Sequence, residues 1–127
     1  MKQLFLIPTI DKETEKKVHK EVINILKEYR ALKIYFENVA EQKREGVILF
    51  SKMNEMENIN RMKFEQIERV LCKGLDEDQR NIIGIKYLSN KKCNDDYIYD
   101  KLLMNRDKFY KRKKSALRLI AIALGLI

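Results

Sequence analysis

From Asp11 to about Ala40, apolar side chains return every three or four residues: Val18, Val22, Ile25, Leu26, Tyr29, Leu32 and Phe36. An α-helix turns once in about 3.6 residues, so this spacing lays them along one stripe. Ile34, Tyr35 and Val39 widen the apolar surface, as expected of a helix that packs on more than one neighbour or on a second copy of itself. Only four glycines and one proline occur in 127 residues, whereas an all-β chain needs a turn every ten residues or so. The expected fold is therefore all-α. With 45% hydrophobic and 36% charged residues the chain has material for a real core and a well-solvated exterior. Its length fits one compact domain, or one domain with an appended helical hairpin.

Gly46 interrupts the pattern, and residues 41–52 read as a break. Val47 to Phe50 is a short apolar run without helical period, compatible with a strand, an extended linker or a partner-binding segment. A second helix is expected from about Met53 to Lys73, with Met53, Met56, Ile59, Phe64, Ile67, Val70 and Leu71 toward the core. After Gly74, Asp76-Glu-Asp-Gln79 has the form of a capping box and opens a helix reaching Leu88 through Ile82, Ile83, Ile85 and Tyr87. Asn94 or Asp95 can cap a short helix over 96–102, with Tyr97, Ile98 and Leu102 as its apolar positions and Tyr99 as a further candidate. Leu103-Met104-Asn105 makes a tight turn, and a last helix runs from Arg106 to about Leu124, with Asn105 as N-cap and Asp107 in the first turn. The division expected is 1–74, a helical region for packing or oligomerisation, and 75–127, a functional domain.

The formal net charge of +8 favours a polyanionic partner. The excess is clustered: residues 106–118 hold seven Lys and Arg against one Asp. Rotating this helix at 100° per residue from Phe109 separates two faces. Lys113, Ala116, Ile120 and Ala123 fall on the Phe109 side, which should pack. Asp107, Lys111, Lys114 and Arg118 fall opposite, flanked by Tyr110, Lys108 and Ser115. A short helix, a tight turn and a longer basic helix are the parts of a helix-turn-helix, whose last helix enters the major groove. Arg106, in the first turn, has the fork to hold guanine O6 and N7 together, while the lysines suit phosphates. Lys91 and Lys92, in the polar stretch 89–94, are further candidate DNA contacts. Lys113 is the misfit, a cation on the packing side, expected to snorkel outward to a backbone phosphate. From Ala116 onward nearly every position is apolar, so this end is expected to be sandwiched against the N-terminal helices or to form a subunit interface.

Several functions are disfavoured. Cys72 and Cys93 lie far apart with only His19 as a nitrogen ligand, so no four-ligand zinc site is expected, nor any other metal or cofactor. With one His, no Gly-rich phosphate loop and no nucleophile motif, an enzyme is not expected. Asp95-Asp96 reads as an acidic helix start, not a metal pair. The opening run Leu4 to Ile7 is too short for a signal peptide, and no stretch reaches the roughly 20 apolar residues of a membrane span. A cytoplasmic, nucleoid-associated protein without a membrane partner is expected.

Arg80-Asn-Ile-Ile83, Lys86-Tyr-Leu88, Asn94-Asp-Asp, Ile98-Tyr-Asp-Lys-Leu102, Met104-Asn105, Phe109-Tyr-Lys111 and Ile120-Ala-Ile-Ala-Leu-Gly125 together resemble the ArpU family of phage transcriptional regulators, themselves similar to region 4 of sigma factors. The start, Leu4-Phe-Leu-Ile-Pro8 with Asp11, also resembles that of the family. The strong part spans about Phe64 to Leu126. The resemblance implies an N-terminal helical hairpin followed by a sigma region 4-like helix-turn-helix, and a regulator, expected to be an activator, of late phage or prophage packaging and lysis genes. It places recognition-helix positions on Arg106, Asp107, Lys108, Tyr110, Lys111 and Lys114. Two positions depart from the family pattern: Asn105 stands where Ser is usual, and Arg112 where the residue is commonly apolar. The expected partner is double-stranded promoter or operator DNA, with RNA polymerase and a homodimer as further candidates. A small terminase-like packaging component and a sigma-like polymerase-docking module are the alternative readings.

Overall fold

The computed structural model describes residues 9–49 and 56–127. These are all-helical, with no strand among the described residues, in the order α1 (Lys12–Glu45), α2 (Glu57–Arg69), α3 (Glu77–Ile83), α4 (Asp95–Lys101) and α5 (Arg106–Ala123). The last turns of α2 and α3 widen into π-helix, over Val70–Gly74 and Gly84–Leu88. The expectations for residues 1–8, for Phe50 and for Met53 concern positions outside the described residues.

α1 starts where Asp11 accepts a hydrogen bond from the Thr14 amide, and it runs five residues beyond the expected end near Ala40, stopping at Gly46 with φ +68°. Its stripe works as the spacing predicts, since Val18, Val22, Leu26, Tyr29 and Phe36 are buried. α2 runs back along α1: Phe64 stacks on Tyr29 at 5.2 Å, and the Arg61 guanidinium lies 4.4 Å above the Phe36 ring. The core use of α2 begins only near Phe64. Met56 and Ile59, expected to face inward, are half exposed, because α5 and α3 pack on the other half of α1 and leave them no third layer. Val47, Ile48 and Leu49 are non-helical and exposed.

Two apolar clusters hold the helices. The larger joins Val22 and Leu26 of α1, Ile67 of α2, Leu71 and Leu75 after it, Ile83 of α3, and Ala116, Leu117, Ile120 and Ala121 of α5. It draws on both sides of Gly74. The smaller surrounds Phe109 with Ile82, Ile98 and Met104. Of the two tyrosines expected as apolar positions of α4, Tyr99 packs on the smaller cluster and Tyr97 is half exposed. Gly74 is a close-approach position, since a Cβ there would meet Leu119 Cδ2 at 3.0 Å. The carbonyls that the widened end of α2 leaves free are taken by Arg80, whose guanidinium donates to the oxygens of Leu71, Cys72 and Leu75 at 3.0–3.2 Å.

Three helices end in the same paired motif. In α1, Val47 N–H donates to Gln42 O and Gly46 N–H to Lys43 O. In α5, Leu126 and Gly125 do the same to Ala121 and Ile122; in α4, Met104 and Leu103 do so to Tyr99 and Asp100. This motif needs a left-handed residue at its apex. Glycine supplies it twice, at φ +68° and +77°, but the apex after α4 is Leu103, at φ 58° and 93% exposed. A bulky residue held there carries about 1–2 kcal/mol of strain. Met104, next in sequence, is buried on Tyr99 and keeps the turn closed. Leu103→Gly removes strain without uncovering any core, so it should raise stability by about 1 kcal/mol after the extra unfolded-state entropy of glycine is set against the gain. Urea denaturation checks this: the midpoint should rise for Leu103→Gly and not for Leu103→Ala, and an unchanged midpoint for both would show that the turn is unstrained.

Candidate nucleic-acid interface

α5 begins at Asn105, whose side chain accepts from the Lys108 amide at 2.7 Å, and Asp107 sits in the first turn. The buried positions are Phe109, Ala116, Leu117, Ile120 and Ala121. Compared with the expected face, Leu117 and Ala121 enter the core and Ala123 leaves it for solvent. The cause is α1, which lies along one flank of α5 only in its C-terminal half and covers Leu117 and Ala121 there. On the same flank one turn or more earlier, Arg106 and Tyr110 are left uncovered. The apolar C-terminal end is thus sandwiched against α1, one of the two arrangements expected for it.

Three neighbours orient the helix through polar contacts. On one flank stands the start of α3. Asp76 Oδ1 accepts from the Gln79 amide at 2.8 Å and Gln79 Oε1 accepts from the Asp76 amide at 3.0 Å, the reciprocal capping box. The other end of the same buried Gln79 amide donates to Ser115 Oγ of α5 at 2.9 Å, so one side chain both caps α3 and docks α5. Asp78 pairs with Lys108 and Asp76 with Arg112, each at 3.6 Å. Arg112, the departure from the family pattern, is therefore accommodated at the surface beside an acid.

On the other flank, Asp95 binds two lysines. Its Oδ2 accepts from Lys113 Nζ at 3.2 Å, and Lys86 Nζ lies 3.1 Å from Oδ1 as an ion pair short of hydrogen-bond alignment. This corrects the expectation for Lys113. It does not reach outward to a phosphate but turns inward to Asp95, with its ammonium 5.5 Å and 5.0 Å from the Phe109 and Tyr110 ring centroids. Asp95 is not the cap of α4 either: Asn94 is, accepting from the Tyr97 amide at 2.9 Å. Burial pushes the Asp95 carboxyl up, but its contacts with Lys86 and Lys113 outweigh this and hold it below the ordinary 3.8. Lastly, Lys114 reaches Glu15 of α1 at 3.3 Å. Beside them His19 is held below its usual pKa by burial, against the pull of Glu15 and reinforced by Lys114 and Arg118.

The basic stretch is thereby divided. Lys108, Arg112, Lys113 and Lys114 have acidic partners; Lys111 and Arg118 have none among the described residues, and Arg106 stacks over Tyr110 at 5.6 Å. Arg106, Asp107, Lys108, Tyr110, Lys111, Lys114 and Arg118 are all exposed on one helix. A shallow groove at its start is lined by Asn105, Asp107, Lys108, Lys111, Arg112 and Ser115. Lys91 and Lys92 are exposed but belong elsewhere: they line a separate cleft with Lys27 and Arg30 of α1. Sequence reasoning missed those two α1 cations, although their spacing on the flank of the apolar stripe was available.

Cys72 and Cys93 are free thiols. No described helix is long and apolar enough to cross a membrane, and no described group of His, Cys, Asp and Glu is arranged to hold a metal. No family model, curated protein or solved structure matches the chain.

The lowered carboxyl of Asp95 fixes a sign. Its charged form is favoured in the folded state, so the stability it contributes is complete above pH 3.8 and is lost as pH falls through the lower folded-state value. Asp95→Asn should cost about 1–2 kcal/mol at neutral pH, since two lysines lose their shared acceptor. Urea midpoints measured between pH 7 and pH 2.5 should then fall less steeply for the variant than for wild type; parallel curves would mean that Asp95 is not linked to folding.

Proposed function

We propose that this chain is a sequence-specific DNA-binding transcriptional regulator in which α3, α4 and α5 form a sigma region 4-like helix-turn-helix and α1 with α2 an N-terminal helical hairpin. The observation that carries the reading is the state of α5. Its first three turns present Arg106, Lys108, Tyr110, Lys111 and Lys114 to solvent, while Phe109 is fully buried between α3 and α4. A helix that inserts into a major groove must be held this rigidly from behind and be this open in front. The further assignment, activation of late phage or prophage genes, rests on the family resemblance of the 64–126 region.

The ion pairs divide the labour on the DNA side. Lys111 meets phosphate without giving up a protein partner. Lys108 and Lys114 exchange a carboxylate partner, the half-buried Asp78 or the largely covered Glu15, for a phosphate, and with the lysines themselves open to solvent such pairs are worth only about 0–1 kcal/mol. Arg106, poised over Tyr110 in the first turn, is the base reader. Asp107 sits where a carboxylate favours the helix start and is suited to accept from cytosine N4.

Lys111→Ala with Lys114→Ala should weaken binding to a random-sequence duplex and lower the steepness of log K against log salt by about two, without loss of folding. Fluorescence anisotropy across a salt series reads both. Equal affinity and equal slope would remove α5 from the interface. Arg106→Ala should act differently, broadening the sequences enriched from a randomised duplex library; a uniform loss over all sequences would make it a phosphate contact instead.

A further inference from the structure

The cleft that Lys91 and Lys92 line is not explained by α5. It lies between the middle of α1 and the segment 86–94, with a volume of 680 Å³, and every ionisable charge on its walls is positive: Lys27, Arg30, Lys86, Lys91 and Lys92. Asp95, the acid that Lys86 contacts, is shared with Lys113. Lys27, Arg30, Lys91 and Lys92 have no ion pair among the described residues. Like charges gathered on a small protein repel one another and destabilise it unless an anion is met there. The cleft is also built, not floppy. Ser89 Oγ lies 2.9 Å from the carbonyl oxygens of both Ile85 and Lys91, and Lys86 Nζ reaches Cys93 O at 3.4 Å, so the lysine-bearing segment is tied to the end of α3.

We propose that this cleft is a second phosphate site, which grips the sugar–phosphate backbone of DNA flanking the stretch engaged by α5. The inference rests on the DNA-binding reading and extends it to a second surface. Position supports it. Lys114 meets α1 at Glu15, and Lys27 lies twelve residues further along α1, which at 1.5 Å per residue is about 18 Å, or half of a roughly 34 Å duplex turn. A cationic track runs along α1 from Lys12 to Arg30, about 60° round the helix from Glu15 at its near edge: at 100° per residue, Lys12, Lys16, Lys20, Lys27 and Arg30 fall within an arc of about 80° that holds no acid over that length. Chemistry favours this polyanion over an anionic membrane surface, which binds most firmly where exposed apolar side chains insert beside the cations, whereas the cleft lining offers only the partly buried Tyr87 and Cys93. Lysines on a shallow open wall, with Ser89, Asn90 and Asn94 between them, suit a linear run of phosphodiesters.

The test is Lys27→Ala with Arg30→Ala in the full chain, measured by anisotropy over a salt series on two random-sequence duplexes, one of about three turns and one of about one turn. Lys43→Ala with Arg44→Ala, in the last turn of α1, removes the same charge away from the cleft. Thermal unfolding by circular dichroism checks that both variants fold. The expected result is a salt slope lowered by about two on the long duplex for the cleft variant alone, and little change on the short one. The proposal is overturned if the cleft variant matches wild type on the long duplex, if it weakens both lengths equally, or if the Lys43/Arg44 variant does the same. If wild type binds neither duplex the DNA reading falls and the cleft proposal with it; if wild type binds with a steep salt slope and only the cleft comparison fails, the cleft proposal falls alone.

Discussion

The protein depends on one helix being buried and exposed at once. α5 supplies Phe109 to the smaller cluster and Ala116, Leu117, Ile120 and Ala121 to the larger one, so neither core closes without it. Fully burying one large apolar side chain is worth about 1.5–3 kcal/mol, and Phe109 and Ile120 are both completely inaccessible. The energy that folds the domain and the geometry that presents its basic face come from opposite sides of the same eighteen residues. Any change that rotates α5 to improve a contact behind it must also turn Arg106, Lys111 and Lys114 in front.

Such a helix needs rotational restraint, which apolar packing alone supplies weakly, because hydrophobic contact is not directional. The polar contacts provide it. Gln79 binds Ser115 on one flank, Asp95 binds Lys113 on the other, and Glu15 meets Lys114 where α1 crosses. Each is modest in free energy, yet together they define the angle of the helix from three directions. With the Asp78–Lys108 and Asp76–Arg112 pairs, the acids around α5 also partner four of its cations while the protein is free, which lessens self-repulsion within the basic stretch. The start of α3 thus serves capping and orientation together: Asp76 caps the helix and pairs with Arg112, while Gln79 closes the box and binds Ser115.

Much of the architecture was legible because it is local. The stripe from Val18 to Phe36, the box at Asp76–Gln79 and the turn before Asn105 follow from the 3.6-residue period and from which side chains can satisfy free amides. The end of α1 does not: the helix runs five residues past its expected end near Ala40 before stopping at Gly46. The extent of α2 was less legible, since Met56 and Ile59 have the right period for a core that does not reach them. Lys113 was misread for a related reason. Its angle on the helix was correct, but the acid that holds it stands eighteen residues earlier in the chain, and periodicity within one helix carries no information about that.

The sequence by itself determined that the chain is helical, where most helices begin and end, and that positive charge gathers on the outward side of the last one. Only the tertiary structure decided which of those cations stay unpaired, that Leu117 and Ala121 are covered while Arg106 and Tyr110 are not, and that Lys91 and Lys92 join Lys27 and Arg30 instead of α5. The physical reason is range. Helix period and capping act over three or four residues, while burial and charge pairing depend on which helices the apolar faces bring together, here α1 against one half of α5 and against the end of α3.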